Sequence, residues 1–492
     1  MPVASPPACI RSGGVATRPV FVFGVSAATW AVIDPLIAAG RLPNLKRLQA
    51  EGCRATLLSV RVPGDEHYRP QVAWATMATG CDPERHGITR FYHTADDLRE
   101  PSLWQIFERH GERVGVYGWP LDWPPRATNG FVIPSHWARD ARTWPPELSA
   151  IKALDREQQD AERERGQRAA PLARLRLAAT LRRHGVRLPT MALLAKTLFR
   201  ATATRDDEER ALLLRHAKIE LNADVFAHLR RLYRPGFSSF HTFLVDFVCH
   251  RYWRYFEPQY FGDNDPAAAA RFHDAVAEAH VRTDRVLGRL LADLPDEALV
   301  AVVSEHGMAA EPESAEVGEW RYVIRGSRLS SLIGLERDIV ARPVARWVAL
   351  RPRDGHALPA DTADRVRGVI VDTGIPLFQV YEHGADEVVV KLNLDAKVPR
   401  YRAGNLEALD VRCGTRSVPF THLCRRLGKT RSAMHDERGI LILQGPGIRQ
   451  GVRLPDVRLV DVAPTLLAAA GVPAPAGLDG RVLDVFESGA TT

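Results

Sequence analysis

The segment SSFHTFLVDF, residues 238–247, and the sequence that follows it set the fold class of this chain. The segment has the short apolar pattern of a buried strand, and we expect a long amphipathic helix to follow, from a cap at Asp265 to about Asp293. The same order occurs earlier, where the apolar run 20–25 precedes helical segments at 30–51. Strands that alternate with helices predict an α/β fold, with a mostly parallel sheet covered on both faces.

The chain divides into core segments and two insertions. Both core halves show the strand–helix pattern, whereas an Arg-rich, helix-favouring stretch separates them and a turn-rich stretch follows the second half. The strand GILILQGPGI and the helix DVAPTLLAAAG, with Asp461 as its cap, are expected near the end. We predict a disordered or extended N-terminus at 1–17, α/β core at 18–150, a helical insertion at 151–235, core at 236–325, a mixed α+β insertion at 326–431 and a last core part at 432–492.

Composition is that of a folded globular protein. The 492 residues are 45% hydrophobic and 25% charged, which supplies enough apolar material for a sizeable core. No apolar run approaches the ~20 residues that span a bilayer, no signal-like segment opens the chain, and the six cysteines form no CxxC pair. The net charge of +7 is mostly arginine, without the aromatic-interleaved basic stripe of a nucleic-acid interface. We expect a cytoplasmic protein with no nucleic-acid or membrane partner, in an oligomeric state that the sequence leaves open.

Three apolar strands end in polar side chains. Ser26 follows FVFGV, Asp246 follows TFLV, and the pair Glu305–His306 follows AVVS. Ligands of open α/β sheets bind beyond the carboxyl ends of the strands. These strand ends are therefore expected to line one crevice.

Asp246 and His250 have the spacing of a two-residue metal motif. Four residues apart on a helix, they share a face and could hold one ion. His435, in the loop segment SAMHDERG before a strand, could be a third ligand. Imidazole with carboxylate suits Zn²⁺ or Mn²⁺ better than Ca²⁺. The spacing alone also fits ordinary surface residues, so both interpretations stay open at this point.

Six blocks of sequence, in order, resemble the type I phosphodiesterase/nucleotide pyrophosphatase branch of the alkaline phosphatase superfamily. The resemblance implies an alkaline-phosphatase-like three-layer α/β/α sandwich. It also implies two metal ions, a Thr or Ser nucleophile, and hydrolysis of phosphate mono- or diesters. The blocks are GVSAATWAVIDPLIAAGRLPNLKRL, AWATMATGCDPERHGI, VDFVCHRYWRYFEP, VVSEHGM, MHDERGILILQGPGI and LVDVAPTLLAAAGVPAPAGLDGRVL.

The resemblance assigns one complete metal site and one altered site. The ligands of the first ion correspond to Asp246, His250 and His435, all present. The second ion takes an Asp after the first strand, the nucleophile and an Asp–His pair. Ser26 stands where the family reads Asp in GLDGATW, and Glu305–His306 replaces the Asp–His pair.

The nucleophile of the family is also replaced. It lies ten residues before the Gly of A-T-G, and counting back from Gly80 gives Pro70. Proline has no hydroxyl and cannot attack phosphorus. The ordinary covalent phosphoenzyme route is therefore not expected.

Other chemistry-bearing residues precede this position. His67 or Tyr68 could act as a general acid or base, and Arg69 could bind an anion. The alternative is that this segment is a loop without a catalytic role.

These observations lead to three functional hypotheses. The first is an enzyme with one Zn or Mn ion that acts on a phosphorylated or anionic small molecule through metal-activated water, elimination or group transfer. In it, Glu305 and His306 act as acid–base partners or hold a weak second ion. The second is a catalytically inactive binding or scaffold protein. The third is a phosphodiesterase with a substitute nucleophile, Thr76 or Tyr68.

Overall fold

The computed structural model describes residues 17–63, 68–154, 178–262, 264–311, 322–344, 347–353, 356–371, 374–393, 406–426 and 431–488. Residues 1–16, His67 and the segment 155–177 of the expected helical insertion lie outside these ranges. The sequence-based expectations for them remain predictions.

The described strands are numbered in chain order. They are β1 Val20–Val25, β2 Gly52–Leu58, β3 Val114–Tyr117, β4 Phe131–Ile133, β5 Phe237–Thr242, β6 Leu299–Val303, β7 Gly307–Ala310, β8 Tyr322–Ile324, β9 Ile339–Val344, β10 Trp347–Pro352, β11 Val369–Val371, β12 Phe378–His383, β13 Glu387–Leu392, β14 Asp410–Cys413, β15 Arg416–Pro419, β16 Cys424–Arg426, β17 Ala433–Asp436, β18 Arg438–Gln444, β19 Val452–Arg453 and β20 Val457–Arg458.

The described α-helices are numbered in the same way. They are α1 Trp30–Ala38, α2 Pro43–Ala50, α3 Pro70–Thr79, α4 Pro83–His86, α5 Leu103–Arg109, α6 Leu188–Ala203, α7 Asp207–Tyr233, α8 Leu244–Phe256, α9 Pro266–Phe272, α10 Ala275–Leu291, α11 Gly326–Leu332, α12 Thr362–Arg367, α13 Phe420–Leu423 and α14 Val462–Ala470.

One central sheet organises the core. Within the described ranges its nine strands follow the order β19-β2-β18-β6-β1-β5-β3-β4, with β20 beside β2. β1 pairs in parallel with β5 and β6, and β3 pairs in parallel with β5 and β4. β18 runs antiparallel between β2 and β6. The carboxyl ends of β1, β5 and β6 therefore meet at one edge, as predicted, and Ser26 and Glu305 both leave the sheet there.

Both faces of the sheet are covered, which confirms the predicted three-layer α/β/α arrangement. Alternate side chains of a strand point to opposite faces. Phe21 and Phe23 of β1 pack with α7, α8 and α10 on one side. Val20 and Val22 pack with α3, α5 and α14 on the other.

The long helix expected from Asp265 to Asp293 is wrong in its continuity. Asp265 does cap α9, since its side chain accepts a hydrogen bond from the N–H of Ala267. The chain then leaves helical geometry near Asp274, the residue that precedes α10 and whose carboxylate binds Arg41. This ion pair to a distant residue, 2.8 Å long, is a tertiary contact that helix periodicity does not reveal.

The last helix, α14, forms where the sequence predicts it. Asp461 is at its N-cap position, but its side chain makes no cap bond to the helix. The carboxylate instead accepts hydrogen bonds from the backbone N–H groups of Arg458 and Arg481. The residue is thus well placed, while its predicted capping role is wrong.

The segment β9–β13 is tied to the core by buried charges. Arg139 of the core lies 3.3 Å from Glu387 of β13, and both side chains are almost fully buried. His383 of β12 hydrogen-bonds both to Glu387 (3.0 Å) and to Asp97 of the core (2.9 Å). The hydrogen bonds to Asp97 and Glu387 raise the pKa of His383 to about 9.

These contacts predict a loss of stability at alkaline pH. The pKa of His383 is higher in the folded chain than its value near 6.5 in the unfolded chain. The protonated imidazole therefore stabilises the folded chain fully below pH 6.5, and this stabilisation is lost as the pH rises through about 9. We expect the free energy of unfolding to fall by up to about 3 kcal/mol from this residue between these limits. Urea denaturation of the wild type and of His383→Gln at several pH values measures it. Equal pH dependence of the two proteins would contradict the prediction.

Candidate metal centre

Asp246, His250 and His435 converge at the carboxyl edge of the sheet. Oδ1 of Asp246 is 3.3 Å from Nε2 of His250 and 3.3 Å from Nε2 of His435, and the two Nε2 atoms are 3.0 Å apart. All the ligand atoms lie within 4.8 Å of one another. Two imidazoles and a carboxylate at such distances form a candidate site for one divalent metal ion, with a position left open.

Local structure and strand pairing bring the three side chains together. Asp246 lies in the first turn of α8 and His250 lies one turn later, on the same face. His435 lies in β17, opposite Met308 of the antiparallel strand β7. Because β7 begins directly after His306, this pairing carries His435 to the edge where β6 ends. The expected loop position of His435 is therefore wrong, since its backbone belongs to a two-stranded ladder.

Backbone carbonyls orient both imidazoles. Nδ1 of His250 donates to the carbonyl oxygen of Ala433 (2.7 Å), and Nδ1 of His435 donates to that of Tyr68 (2.9 Å). A carbonyl can only accept, so each neutral ring carries its proton on Nδ1 and turns its Nε2 lone pair toward Asp246. Outer hydrogen bonds of this kind orient metal-binding histidines in proteins.

The electrostatics of the cluster suit a cation. Burial lowers the pKa of His250, with Arg431 adding to the effect, and burial together with His306 lowers the pKa of His435 to about 3. Both rings are thus neutral, as metal ligands must be. The carboxylate of Asp246 is buried between the two rings. Its buried Oδ1 has no hydrogen-bond partner among the described residues, so the three lone pairs fit a divalent ion.

Arg431 brings a positive charge to the same point. Its guanidinium donates to Nε2 of His250 and lies 3.5 Å from the sulfur of Met434. The guanidinium takes the Nε2 lone pair of His250 in this structure, so an ion that uses this lone pair must displace Arg431. A planar guanidinium is also the group that binds phosphate oxygens best. No motif around Arg431 indicated this position in the sequence.

A second polar cluster lies next to the first and is sealed from solvent. The hydroxyl of Ser26 donates to Oε1 of Glu305 (2.6 Å), which is also 3.1 Å from Nε2 of His306. The side chains of Ser26, Glu305 and His306 are completely buried. The ring of His306 stacks on that of His435, with 3.8 Å between the ring centres. The two clusters are therefore in direct contact.

Similarity to known proteins identifies the family of this chain. The family model described as type I phosphodiesterase/nucleotide pyrophosphatase matches residues 20–409. The chain belongs to this family. Among solved structures, human ectonucleotide pyrophosphatase/phosphodiesterase 5 is similar, with a TM-score of 0.42 and 11% identity over 96% of this chain and 100% of that one. No curated protein matches the chain at a significant level.

The matched range of the type I phosphodiesterase family ends before the third ligand. It contains Asp246 and His250 but stops short of His435. The contribution of His435 to the cluster thus depends on the strand pairing described above. The three-layer α/β/α arrangement expected from the resemblance is the arrangement observed.

Pro70, which the sequence resemblance places at the position of the family nucleophile, is the first residue of a helix. Pro70 begins α3, and Arg69 is its N-cap residue. Proline is well suited to this position because the first helical N–H has no intrahelical acceptor. The helix starts beside the metal ligands, since Tyr68, two residues earlier, accepts a hydrogen bond from His435. Pro70 thus lies close to the candidate metal ligands but has no hydroxyl group.

The residues proposed as substitute nucleophiles have other contacts. The Thr76 hydroxyl donates to the carbonyl of Val72 (3.0 Å) and hydrogen-bonds to His86 (2.9 Å), deep in the core. Burial raises the pKa of Tyr68, with Glu437 adding to the effect, so its phenol stays protonated at neutral pH. Its ring stacks under Arg61. The use of Thr76 or Tyr68 as a substitute nucleophile stays a prediction.

Two further residues near the site were missed in the sequence. His241, near the end of β5, lies 3.3 Å from the Ser26 hydroxyl and packs against Trp74; burial lowers its pKa to about 4. Gln71, the second residue of α3, is 2% exposed, and neither its amide oxygen nor its amide nitrogen has a hydrogen-bond partner among the described residues. A histidine within an apolar strand was a signal for His241, whereas nothing marked Gln71.

Proposed function

We propose that this member of the type I phosphodiesterase family is a metal-dependent hydrolase of a phosphorylated small molecule. In this proposal Asp246, His250 and His435 hold one Zn²⁺ or Mn²⁺, and water replaces the side-chain nucleophile of the family. The observation that carries the proposal is the combination of three convergent ligands with a proline at the nucleophile position. When bound, such an ion polarises a phosphoryl oxygen and lowers the pKa of water.

The protein groups around the ligands support an anionic substrate. The guanidinium of Arg431 lies at the cluster, and the N-terminus of α3, which favours negative charge, begins two residues after Tyr68. The amide of Gln71 in that first turn is buried and has no hydrogen-bond partner among the described residues. In our proposal these groups position the phosphate, while His435 and His250 keep their protons on Nδ1.

We propose one ion per chain because the second position is already occupied by internal contacts. Glu305 accepts the hydroxyl of Ser26 and pairs with His306. A neutral hydroxyl is a poor replacement for a ligand carboxylate. In the proposal Glu305 and His306 keep a proton beside the metal site as an acid–base pair.

A binding or scaffold role is the second candidate, and a specific observation favours it. The same Ser26–Glu305 hydrogen bond closes the position of the second ion, and the family nucleophile is absent. Metal binding without turnover of any phosphate ester would support this alternative.

Hydrolysis by water predicts inversion at phosphorus. We expect the Zn²⁺- or Mn²⁺-loaded protein to hydrolyse aryl phosphate mono- or diesters with a single inversion and without transfer to added alcohols. A phosphoenzyme route involves two displacements and gives retention and transfer. The measurement is the stereochemical course with a chiral phosphorothioate ester.

The control for this measurement is Asp246→Asn, which removes a metal ligand. Retention, or transfer to alcohols, in the wild type would show a substitute nucleophile and contradict the proposed chemistry. Failure of the metal-loaded protein to hydrolyse any ester would contradict the enzyme hypothesis itself.

A further inference from the structure

The helix α6 exposes an apolar face to solvent. We call the residues Leu188, Ala192, Ala195 and Phe199 the outer stripe. Their spacing of four, three and four residues places them on one side of the helix. All four are exposed, and Leu188 and Phe199 are 67% and 75% exposed.

The helix α6 carries large apolar side chains on its outer face as well as on its inner face. Its buried side chains are Thr190, Thr197 and Ala201, Met191 and Leu194 pack against the core, and the helix lies along α7. A surface helix normally turns its largest apolar residues toward the core. Here Phe199 faces outward, as does Leu198 beside the stripe, which is half exposed. Large side chains exposed together in this way mark an interaction surface.

The described residues around the outer stripe carry an excess of positive charge. From Ala178 to Arg205 the sequence contains five arginines and one lysine but no aspartate or glutamate. Two of these arginines, Arg187 and Arg200, are paired with Asp224 and Glu209 of α7. Within the described part of this stretch, Arg183 and Lys196 are exposed and form no ion pair with described residues. Lys196 lies on α6 itself, one residue from Ala195 of the stripe.

We propose that the outer stripe, together with the basic residues Arg183 and Lys196, binds the surface of an anionic lipid bilayer. A helix with Leu and Phe on one face and Lys and Arg beside them inserts its apolar side chains at the level of the head groups. Each basic residue near such a surface adds electrostatic attraction to the anionic head groups. Among the described residues, no helix is long and apolar enough to cross a membrane, but contact with the surface needs no crossing.

This inference changes the expectation that the protein has no membrane partner. That expectation was based on the lack of a spanning apolar run, which does not bear on surface contact. A second copy of the chain fits the outer stripe less well than lipid does. Two stripes face to face would bring Lys196 and Arg183 of both copies together, whereas anionic head groups neutralise these charges.

Vesicle sedimentation with the full chain tests the proposal. We expect binding to phosphatidylcholine vesicles with about 30% phosphatidylserine, weak binding to phosphatidylcholine alone, and release at high salt. The double variant Leu188→Ser/Phe199→Ser should reduce the partition coefficient at least about tenfold. The variant Arg183→Gln/Lys196→Gln should reduce it about fivefold or more.

The matched control is Tyr260→Ser/Val482→Ser, because these two side chains are also large, apolar and exposed but lie elsewhere in the chain. It should bind as the wild type does. Circular dichroism and melting temperature establish that all variants are folded. The proposal is overturned if the wild type does not bind the vesicles or binds neutral vesicles equally well. It is also overturned if the stripe variant binds as the wild type does. So would a dimer in sedimentation velocity that Phe199→Ser dissociates, since it would assign the stripe to a second copy.

Discussion

The variant Asp246→Asn is expected to lose metal binding and activity together. Asp246 supplies the only carboxylate of the cluster, and its negative charge balances the ion. Changes even in groups behind metal ligands weaken binding 10–100-fold, so removal of this ligand should weaken Zn²⁺ or Mn²⁺ binding by at least about a hundredfold. Metal content by elemental analysis and binding by calorimetry measure the effect.

A stability readout separates this loss from misfolding. Metal that binds the folded chain at 100 times its Kd stabilises it by about 2.7 kcal/mol. We expect this increase in the wild type and not in Asp246→Asn, whereas the two metal-free proteins should melt at similar temperatures. Asp364→Asn is the control, because Asp364 is 79% exposed on α12, away from the cluster. A normal metal response of Asp246→Asn would contradict the proposed site.

The variant Ser26→Asp is expected to make the stability of the folded chain depend on bound metal. Ser26 is fully buried, and its hydroxyl is 2.6 Å from Glu305. A second buried carboxylate at this distance repels the first, so without metal the variant should lose about 3 kcal/mol or more of stability. A cation between the two carboxylates removes the repulsion, and excess Zn²⁺ or Mn²⁺ should restore the stability. Denaturation in chelator and in metal measures both effects.

The control for Ser26→Asp is Ser26→Asn, which has the same shape without the charge. It should respond to metal as the wild type does. The metal content of Ser26→Asp should rise from one to two equivalents per chain, because the family position then again carries a carboxylate. If Ser26→Asp is as stable in chelator as Ser26→Asn, the buried contact between Ser26 and Glu305 is not as the structure has it.

Much of the fold could be predicted because local patterns carry it. The apolar runs of β1, β5 and β6, the polar residues at their ends and the cap at Asp265 all depend on a few neighbouring residues. The break before Asp274 could not be predicted, since it coincides with an ion pair to Arg41 in a distant segment.

The sequence by itself determined the family, the three-layer fold and the four-residue spacing that puts Asp246 and His250 on one helix face. It also determined that Pro70 carries no hydroxyl. The resemblance already named His435 as the third ligand, but only the tertiary structure showed how it reaches the other two, because the pairing of β17 with β7 spans more than a hundred residues. The contacts of Ser26 with His241, the position of Arg431 and the outward direction of the α6 stripe were decided in the same way. They are contacts between segments that are distant in sequence, and no local pattern of residues predicts such contacts.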